Sequence, residues 1–307
     1  MKESNPLVSI IMSTYNEKKD WLIESINSIL TQSYENFEFI IIIDNPNNKE
    51  LIKLIEMYRN SDERIKCFIN EENKGLVYSL NYALSKAKGD YIARMDADDI
   101  SNYQRLEIQL DNLLSNNIDI LGTNIAYFTD NDLIKSSSLP LHNEEIKKEI
   151  KKWSQLAHPT WLVKKNVYEK LKGYRYIMYC EDYDFLLRAI SEGFILGNTK
   201  EILLKYRVNE KSISRSNLLE QRVISRFLSN NLNRINEIDI AEIDKYLKKL
   251  NITKKKKLKY EKANNYYQNY CMEKNKIKKY LYLLKSIMVS YLHFKLEYLP
   301  NIIHRHC

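Results

Sequence analysis

Apolar and polar positions follow two alternating rhythms over the first hundred residues. Leu7-Val8-Ser9-Ile10-Ile11-Met12 is a short continuous apolar run, the pattern of a strand buried on both faces of a parallel sheet. It stops at Ser13-Thr14-Tyr15-Asn16-Glu17, after which Leu22, Ile26, Ile29 and Leu30 recur at helical spacing. Phe37 to Ile43 predicts a second strand, ended by the turn-rich Asp44-Asn45-Pro46-Asn47-Asn48, and Leu51, Ile52, Leu54, Ile55 and Tyr58 predict a second amphipathic helix. Ile65 to Ile69 predicts a third strand, Leu76 to Lys88 a third helix closed by Gly89, and Tyr91 to Met95 a fourth strand.

Strand and helix in strict alternation predict an α/β fold with a doubly wound, mostly parallel sheet. Ligands of such sheets lie outside the carboxyl ends of the strands. Three of the predicted strand ends carry polar side chains there: Thr14 with Tyr15, Asp44, and Asp96 with Asp98. Farther on, the pattern predicts a helix over Gln104–Leu114, a strand over Ile118–Phe128, a helix over Glu144–Trp153, a short strand after Trp161 and a last strand over Glu201–Val208. Beyond Ser216 only helix-like segments rich in Lys, Asn and Tyr follow, and Lys254-Lys255-Lys256-Lys257 reads as a linker between two of them.

The fourth strand runs directly into Asp96-Ala97-Asp98-Asp99. Three like charges so close repel one another, and a folded chain tolerates them best around a cation. Hard carboxylate oxygens select Mg²⁺ or Mn²⁺, ions that keep positions open for water and substrate phosphates. An isolated pair of this kind is more often a solvated turn with a helix-capping Asp. Its place at the end of a buried strand, beside two other polar strand ends, reverses that preference.

Composition narrows the class. The chain has 307 residues, 44% of them hydrophobic, with only 6 Gly and 5 Pro, as in an ordinary globular protein able to bury a sizeable core. Cys67, Cys180, Cys271 and Cys307 are scattered without metal or disulfide spacing, which favours a reducing compartment. Residues 1–5 lead straight into a strand and leave no room for a signal peptide, and no apolar run reaches the roughly 18 residues that span a bilayer. The expectation is a cytoplasmic protein. Net charge is +8, but unevenly held: residues 245–307 carry 16 Lys+Arg against 3 Asp+Glu, a balance of +13, and residues 1–244 a balance of −5. An acidic body with a basic tail points the tail towards an anionic surface.

Several motifs occurring in one order resemble family 2 glycosyltransferases of the GT-A fold. They are Val8 through Asn16; Asn36-Phe37-Glu38 running to Asp44; Asn73-Lys74-Gly75; Gly89-Asp90-Tyr91 through Asp99; and Glu181-Asp182-Tyr183-Asp184. The resemblance covers roughly residues 6–215 and is nearest to bacterial capsule and exopolysaccharide transferases of the amylovoran type. It implies a GT-A catalytic domain over 1–215, with a nucleotide-sugar half to about residue 100 and an acceptor half beyond, and a basic helical region over 216–307. It further implies a UDP-sugar donor bound by Ser13, Thr14, Tyr15, Glu17, Asp44, Asn73, Lys74, Asp96 and Ala97. In that scheme Asp44 hydrogen-bonds the base, Asp96 lies near the ribose and the metal, and Asp98 with Asp96 holds Mn²⁺ or Mg²⁺. Asp182 is the general base. The chain departs from the family at Ile43-Asp44-Asn45-Pro46, where relatives often have Asp-Asp-Gly-Ser, at Ser13, where many have proline, and at Asn209, where some have a histidine. These departures leave a diphosphate role for Arg207 and Ser212 open.

The residues themselves support the chemistry. An acceptor hydroxyl must lose its proton as it attacks the anomeric carbon, which calls for a positioned carboxylate. Asp182 lies at the mouth of a predicted helix, and Asp184, two residues on, projects from another face. The rival reading makes Asp182 a helix cap, whose pKa would be lowered; alongside the other motifs the catalytic reading is preferred. No Cys/His or Ser/His constellation, P-loop or G-x-G-x-x-G is present, favouring direct displacement with inversion. His158 reads as a hydrogen-bonded loop histidine, Trp161 equally as a sugar-stacking or a core residue, and His304-Arg305-His306-Cys307 as a frayed terminus.

Fourteen lysines and two glutamates lie between Lys245 and Lys285, with Tyr280, Leu281, Leu283, Leu284, Ile287 and Met288 interleaved. Such a tail either meets anionic lipid at the inner membrane face, where transferases of this kind meet lipid-linked acceptors, or packs on the catalytic domain; scarce arginine argues against nucleic acid. The leading function is an inverting, metal-dependent hexosyl or N-acetylhexosaminyl transfer to a glycan acceptor. The competing one is an inactive membrane- or polysaccharide-binding protein on the same fold.

Overall fold

A computed structural model describes residues 5–130, 132–209, 217–273, 275–293 and 295–296. The chain divides into two compact units, Met1–Tyr176 with Glu181–Glu210, and Ile177–Cys180 with Lys211–Cys307. The first is built on β1 (Val8–Thr14), α1 (Lys19–Leu30), β2 (Phe37–Ile43), α2 (Lys49–Ser61), β3 (Ile65–Ile69), α3 (Leu76–Lys86) and β4 (Tyr91–Arg94). It continues through β5 (Ile100–Ser101), α4 (Arg105–Ser115), β6 (Ile120–Phe128), β7 (Leu133–Ser136), α5 (Asn143–Glu149), β8 (Leu162–Lys164), α6 (Lys165–Leu171), α7 (Glu181–Ser191) and β9 (Leu196–Arg207).

The nine strands form one mixed sheet in the order β3-β2-β1-β4-β8-β6-β9-β5, with β7 beside β6. The long ladders, β1 with β2, β2 with β3, β1 with β4 and β6 with β9, are parallel; the antiparallel ones involving β5, β7 and β8 are short. All seven residues of β2 are buried, as a continuous apolar run demands of a strand covered on both faces. Leu22, Ile26 and Ile29 of α1 pack with Ile10, Met12, Phe39 and Ile41 in the main core. Because β1 lies between β2 and β4, the turns after Thr14, Ile43 and Arg94 open side by side.

Several elements differ from the pattern. The third helix ends at Lys86, and Gly89 does not cap it. A Cβ at Gly89 would lie 2.5 Å from the Leu7 carbonyl oxygen and 2.6 Å from the Ser9 nitrogen, so glycine is required by close backbone approach. The Gly89 amide also donates to Ser9 Oγ at 2.8 Å, and Ser9 Oγ donates to the buried Glu38 carboxylate at 2.6 Å. Gly89→Ala is therefore expected to destabilise the fold by about 1–3 kcal/mol or more, read as a lower urea midpoint, since neither backbone neighbour yields easily. The helix predicted over Glu144–Trp153 ends in a turn after Glu149, and the last strand begins earlier, at Leu196. β5 and β7 are too short to leave a periodic signal.

In the second unit, α8 (Leu218–Asn230), α9 (Ile240–Leu250), α10 (Lys254–Met272) and α11 (Lys276–Val289) are helices, with Leu219, Val223 and Tyr260 at their core. The four-lysine run is not a linker. Thr253 Oγ1 accepts from the Lys256 amide at 3.3 Å and starts α10, while the chain breaks at Asn251, in the left-handed conformation with φ 45°. Ser212 and the His304-Arg305-His306-Cys307 stretch lie outside the described residues.

Candidate active site

The acidic turn between β4 and β5 is held from both sides. Ser25 Oγ of α1 donates to the Asp96 carbonyl at 2.9 Å, and from β9 the Arg207 amide donates to Asp99 Oδ1 at 2.8 Å and Arg207 Nε to the Asp98 carbonyl at 2.8 Å. The Arg207 guanidinium itself pairs with Glu24 and Asp130 and lies over the rings of Trp21 and Phe128. Through these contacts Arg207 fastens the acidic turn to β9.

Beneath the acids lie two buried arginines. Arg94, 1% exposed at its side chain, pairs with Asp96 Oδ1 at 2.5 Å. Arg105, fully buried, donates to the Pro159 carbonyl at 2.9 Å and the Arg94 carbonyl at 3.2 Å. Burial, reinforced by Asp96 and Glu17 and opposed by Arg207, pushes the Asp98 carboxyl up to about 7. Burial drives Asp99 up as well, and its Oδ2 has no hydrogen-bond partner. Crowded, desolvated oxygen donors of this kind suit a hard divalent cation. Among the described residues no three His, Cys, Asp or Glu side chains are placed to enclose one.

The neighbouring strand ends form a second wall. Glu17 accepts from Thr14 Oγ1 at 2.5 Å and the Tyr15 amide at 2.8 Å, closing the turn after β1; Ser13 is half-buried and Tyr15 remains 42% exposed. Asn16 Oδ1 accepts from Asn45 at 2.8 Å and Asn48 at 3.2 Å, joining this turn to the one after β2. Asp44 is 4% exposed, and its carboxylate takes three protein donors: Asn70 Nδ2 at 2.7 Å and the Lys74 and Gly75 amides at 2.8 Å each. Its oxygens organise the 70–75 loop. Gly75 sits there at φ 84°, where side chains are strained. Asn73 accepts from the Gly75 amide at 3.1 Å, Lys74 pairs with Glu72 at 2.6 Å, and Ala97 is buried between the two acids.

Across from Asp96, α7 begins with Glu181 and Asp182. Asp182 Oδ1 accepts the Tyr183 amide at 2.6 Å, so the helix start does use this carboxylate. Its pKa is nonetheless not lowered. Burial of the carboxyl raises it to about 6, against the opposing pull of the Tyr183 amide and Arg94, and Asp96 adds to the rise. Burial and Asp182 raise Glu181 to about 7. Asp182, Asp96 and Arg94 thus share one electrostatic environment.

Asp184 is fully buried between Arg175 and Arg188, accepting from Arg188 Nε at 2.8 Å, while Arg188 also holds the Leu171 carbonyl at 2.7 Å and the Gly173 carbonyl at 3.0 Å. His158 Nε2 bonds Tyr174 OH at 2.9 Å, and burial keeps its pKa well below the ordinary value. It is hydrogen-bonded, as expected, but sits half-buried at the start of a one-turn 3-10 helix, His158–Thr160. Trp161, fully buried against His158 and Phe185, belongs to the core and not to a sugar-stacking surface. Sequence reasoning missed Arg94 and Glu181; a charged residue inside the apolar strand before the acids was the available signal for Arg94.

Comparison with known proteins agrees with this architecture. The model of "Glycosyl transferase family 2" matches residues 9–172. The chain is 37% identical over 239 residues to the O-antigen biosynthesis glycosyltransferase WbnJ of Escherichia coli, covering 73% of this chain and 93% of that one. It is 31% identical over 238 residues to the E. coli UDP-Glc:alpha-D-GlcNAc-diphosphoundecaprenol beta-1,3-glucosyltransferase WfgD, covering 75% and 89%. The structure of S. aureus TarS 1–349 in complex with UDP-GlcNAc superposes with a TM-score of 0.60 at 16% identity, over 94% of this chain and 90% of that one, which shows a common GT-A fold. With a family match over these strands and relatives of such coverage, the chain belongs to glycosyl transferase family 2 and is a glycosyltransferase.

Proposed function

We propose that the protein moves a hexose or N-acetylhexosamine from a UDP-sugar to a hydroxyl of a lipid-linked glycan acceptor in surface polysaccharide synthesis, inverting the anomeric centre in one displacement. The observation that carries this reading is the placement of Asp182, at the start of α7, within electrostatic reach of Asp96 and Arg94. WfgD, whose name specifies UDP-Glc and a diphosphoundecaprenol-linked acceptor, and TarS, solved with UDP-GlcNAc, support the donor and acceptor classes.

Asp182 accepts the proton of the attacking hydroxyl. With its pKa near 6 it is ionised at neutral pH yet more basic than an ordinary carboxylate, which suits a general base. Asp98 and Asp96 would hold Mn²⁺ or Mg²⁺, and Arg94 fixes the Asp96 carboxylate by an ion pair. A cation bound there would supply neutralisation of the charge on the departing diphosphate. Ser13, Thr14 and Glu17 shape the turn that presents the exposed Tyr15 ring to the base, and Asp44 sets Asn73 and Lys74 through the loop amides. We place the reaction in the cytoplasm, where the free thiols of Cys67, Cys180 and Cys271 persist.

UDP release from a panel of UDP-sugars with Mn²⁺ and a lipid-diphosphate-linked sugar acceptor tests the reading, with the product's anomeric configuration read by proton NMR. One donor is expected to support turnover with configuration opposite to its own. Retention of configuration removes the single displacement, and silence with every donor favours the non-catalytic reading.

A further inference from the structure

The second unit carries an apolar surface that the transfer reaction does not use. Along α11, Ile277 (75% exposed), Tyr280, Leu281, Leu284 (55%) and Met288 (84%) are spaced as one stripe of a helix and face outward. Leu283 and Ser286, on the opposite side, are the buried residues of the same helix. An outward apolar stripe of this length is unusual on a water-facing helix.

Charge says what covers it. Lys276, Lys278 and Lys285 border the stripe, and the exposed Lys254, Lys255, Lys256, Lys259 and Lys262 of α10 belong to the same basic unit. A second copy packed stripe to stripe would bring these like charges together. A soluble polyanion would satisfy the lysines and leave the apolar side chains in water. An anionic bilayer satisfies both, with acyl boundary for the stripe and phosphate headgroups for the lysines. Among the described residues no helix is long and apolar enough to cross a membrane, so the geometry fits a helix lying in the interface plane.

We propose that the outward face of α11 docks on an anionic lipid surface, with Ile277, Leu281, Leu284 and Met288 entering the headgroup–acyl boundary and Lys276, Lys278 and Lys285 meeting lipid phosphates.

Co-sedimentation of the full chain with vesicles tests it. Wild type is expected to pellet with phosphatidylcholine–phosphatidylglycerol vesicles, to remain in solution with phosphatidylcholine alone, and to be released by added salt. Leu281→Ser/Leu284→Ser/Met288→Ser and, separately, Lys276→Glu/Lys278→Glu/Lys285→Glu are each expected to weaken binding by roughly tenfold or more. Both variants should keep wild-type far-UV circular dichroism and wild-type turnover on a water-soluble acceptor; the lysine variant, altered only at the surface, carries the test if the serine variant unfolds. Equal binding to neutral vesicles, or undiminished binding by either folded variant, overturns the proposal. So does a serine variant whose sole change is conversion of a dimer to a monomer by size-exclusion chromatography, which would assign the stripe to a second copy.

Discussion

Asp182→Asn is expected to lower turnover by about 10²–10⁴-fold, the range for loss of a general base, with UDP affinity unchanged. The amide keeps an oxygen for the Tyr183 amide, 2.6 Å away in the wild type, so the start of α7 survives while proton acceptance is lost. The pH profile sharpens the expectation. As the proposed base, Asp182 would act when deprotonated, so the wild-type rate is expected to rise with pH and level off above an apparent pKa of about 6. The charged groups acting on Asp182 are Arg94, Asp96 and Glu181, with Tyr174 beside them. Asp96 is one of the groups raising Asp182, so occupation of the acidic turn by a cation shifts this limb to lower pH. In Asp182→Asn the limb should disappear from the residual rate. Turnover and pH dependence like wild type would remove Asp182 from the role of base.

Two residues along the same helix the expected effect changes in kind. Asp184→Ala is expected to cost about 3–5 kcal/mol of stability, because it removes the carboxylate shared by the guanidiniums of Arg175 and Arg188 and leaves buried charge uncompensated. Arg188 also holds the Leu171 and Gly173 carbonyls, so the turn after α6 loosens with it. Urea denaturation of the two variants separates the roles: Asp184→Ala shifts the midpoint strongly, and Asp182→Asn leaves it near wild type. An Asp184→Ala protein as stable as wild type would contradict the buried ion pair as a fold-holding element.

The contrast between these acids shows where a sequence stops being legible. Helical geometry alone says that Asp182 and Asp184 point different ways. Which one meets the acidic turn and which is locked internally depends on Arg175 and Arg188, whose approach is a property of tertiary packing. Asp44 teaches the same lesson. Its place at the end of an apolar strand is plain from Phe37–Ile43, but the Lys74 and Gly75 amides that occupy it arrive thirty residues later along a loop with no periodic signal. The four leading strands and their helices were readable because continuous apolar runs and helical spacing both survive in the sequence. β5 was not, since two residues carry no period, although its pairing with Lys205 and Leu204 of β9 helps pin the acidic turn. The four-lysine run misled for a physical reason: charge repulsion suggests an extended linker, but a Thr253 cap and surrounding solvent suffice to begin a helix there.

In the proposed reaction the nucleotide binds at the carboxyl edge of the sheet, where the acidic turn would hold a cation against the diphosphate. Calorimetric titration of UDP into wild type and Asp98→Asn, each with Mn²⁺ and again with a chelator, measures this directly. Wild type with Mn²⁺ should bind UDP, chelation should weaken that binding, and Asp98→Asn with Mn²⁺ should bind only as well as the chelated wild type. UDP affinity indifferent to both chelation and Asp98→Asn would contradict it.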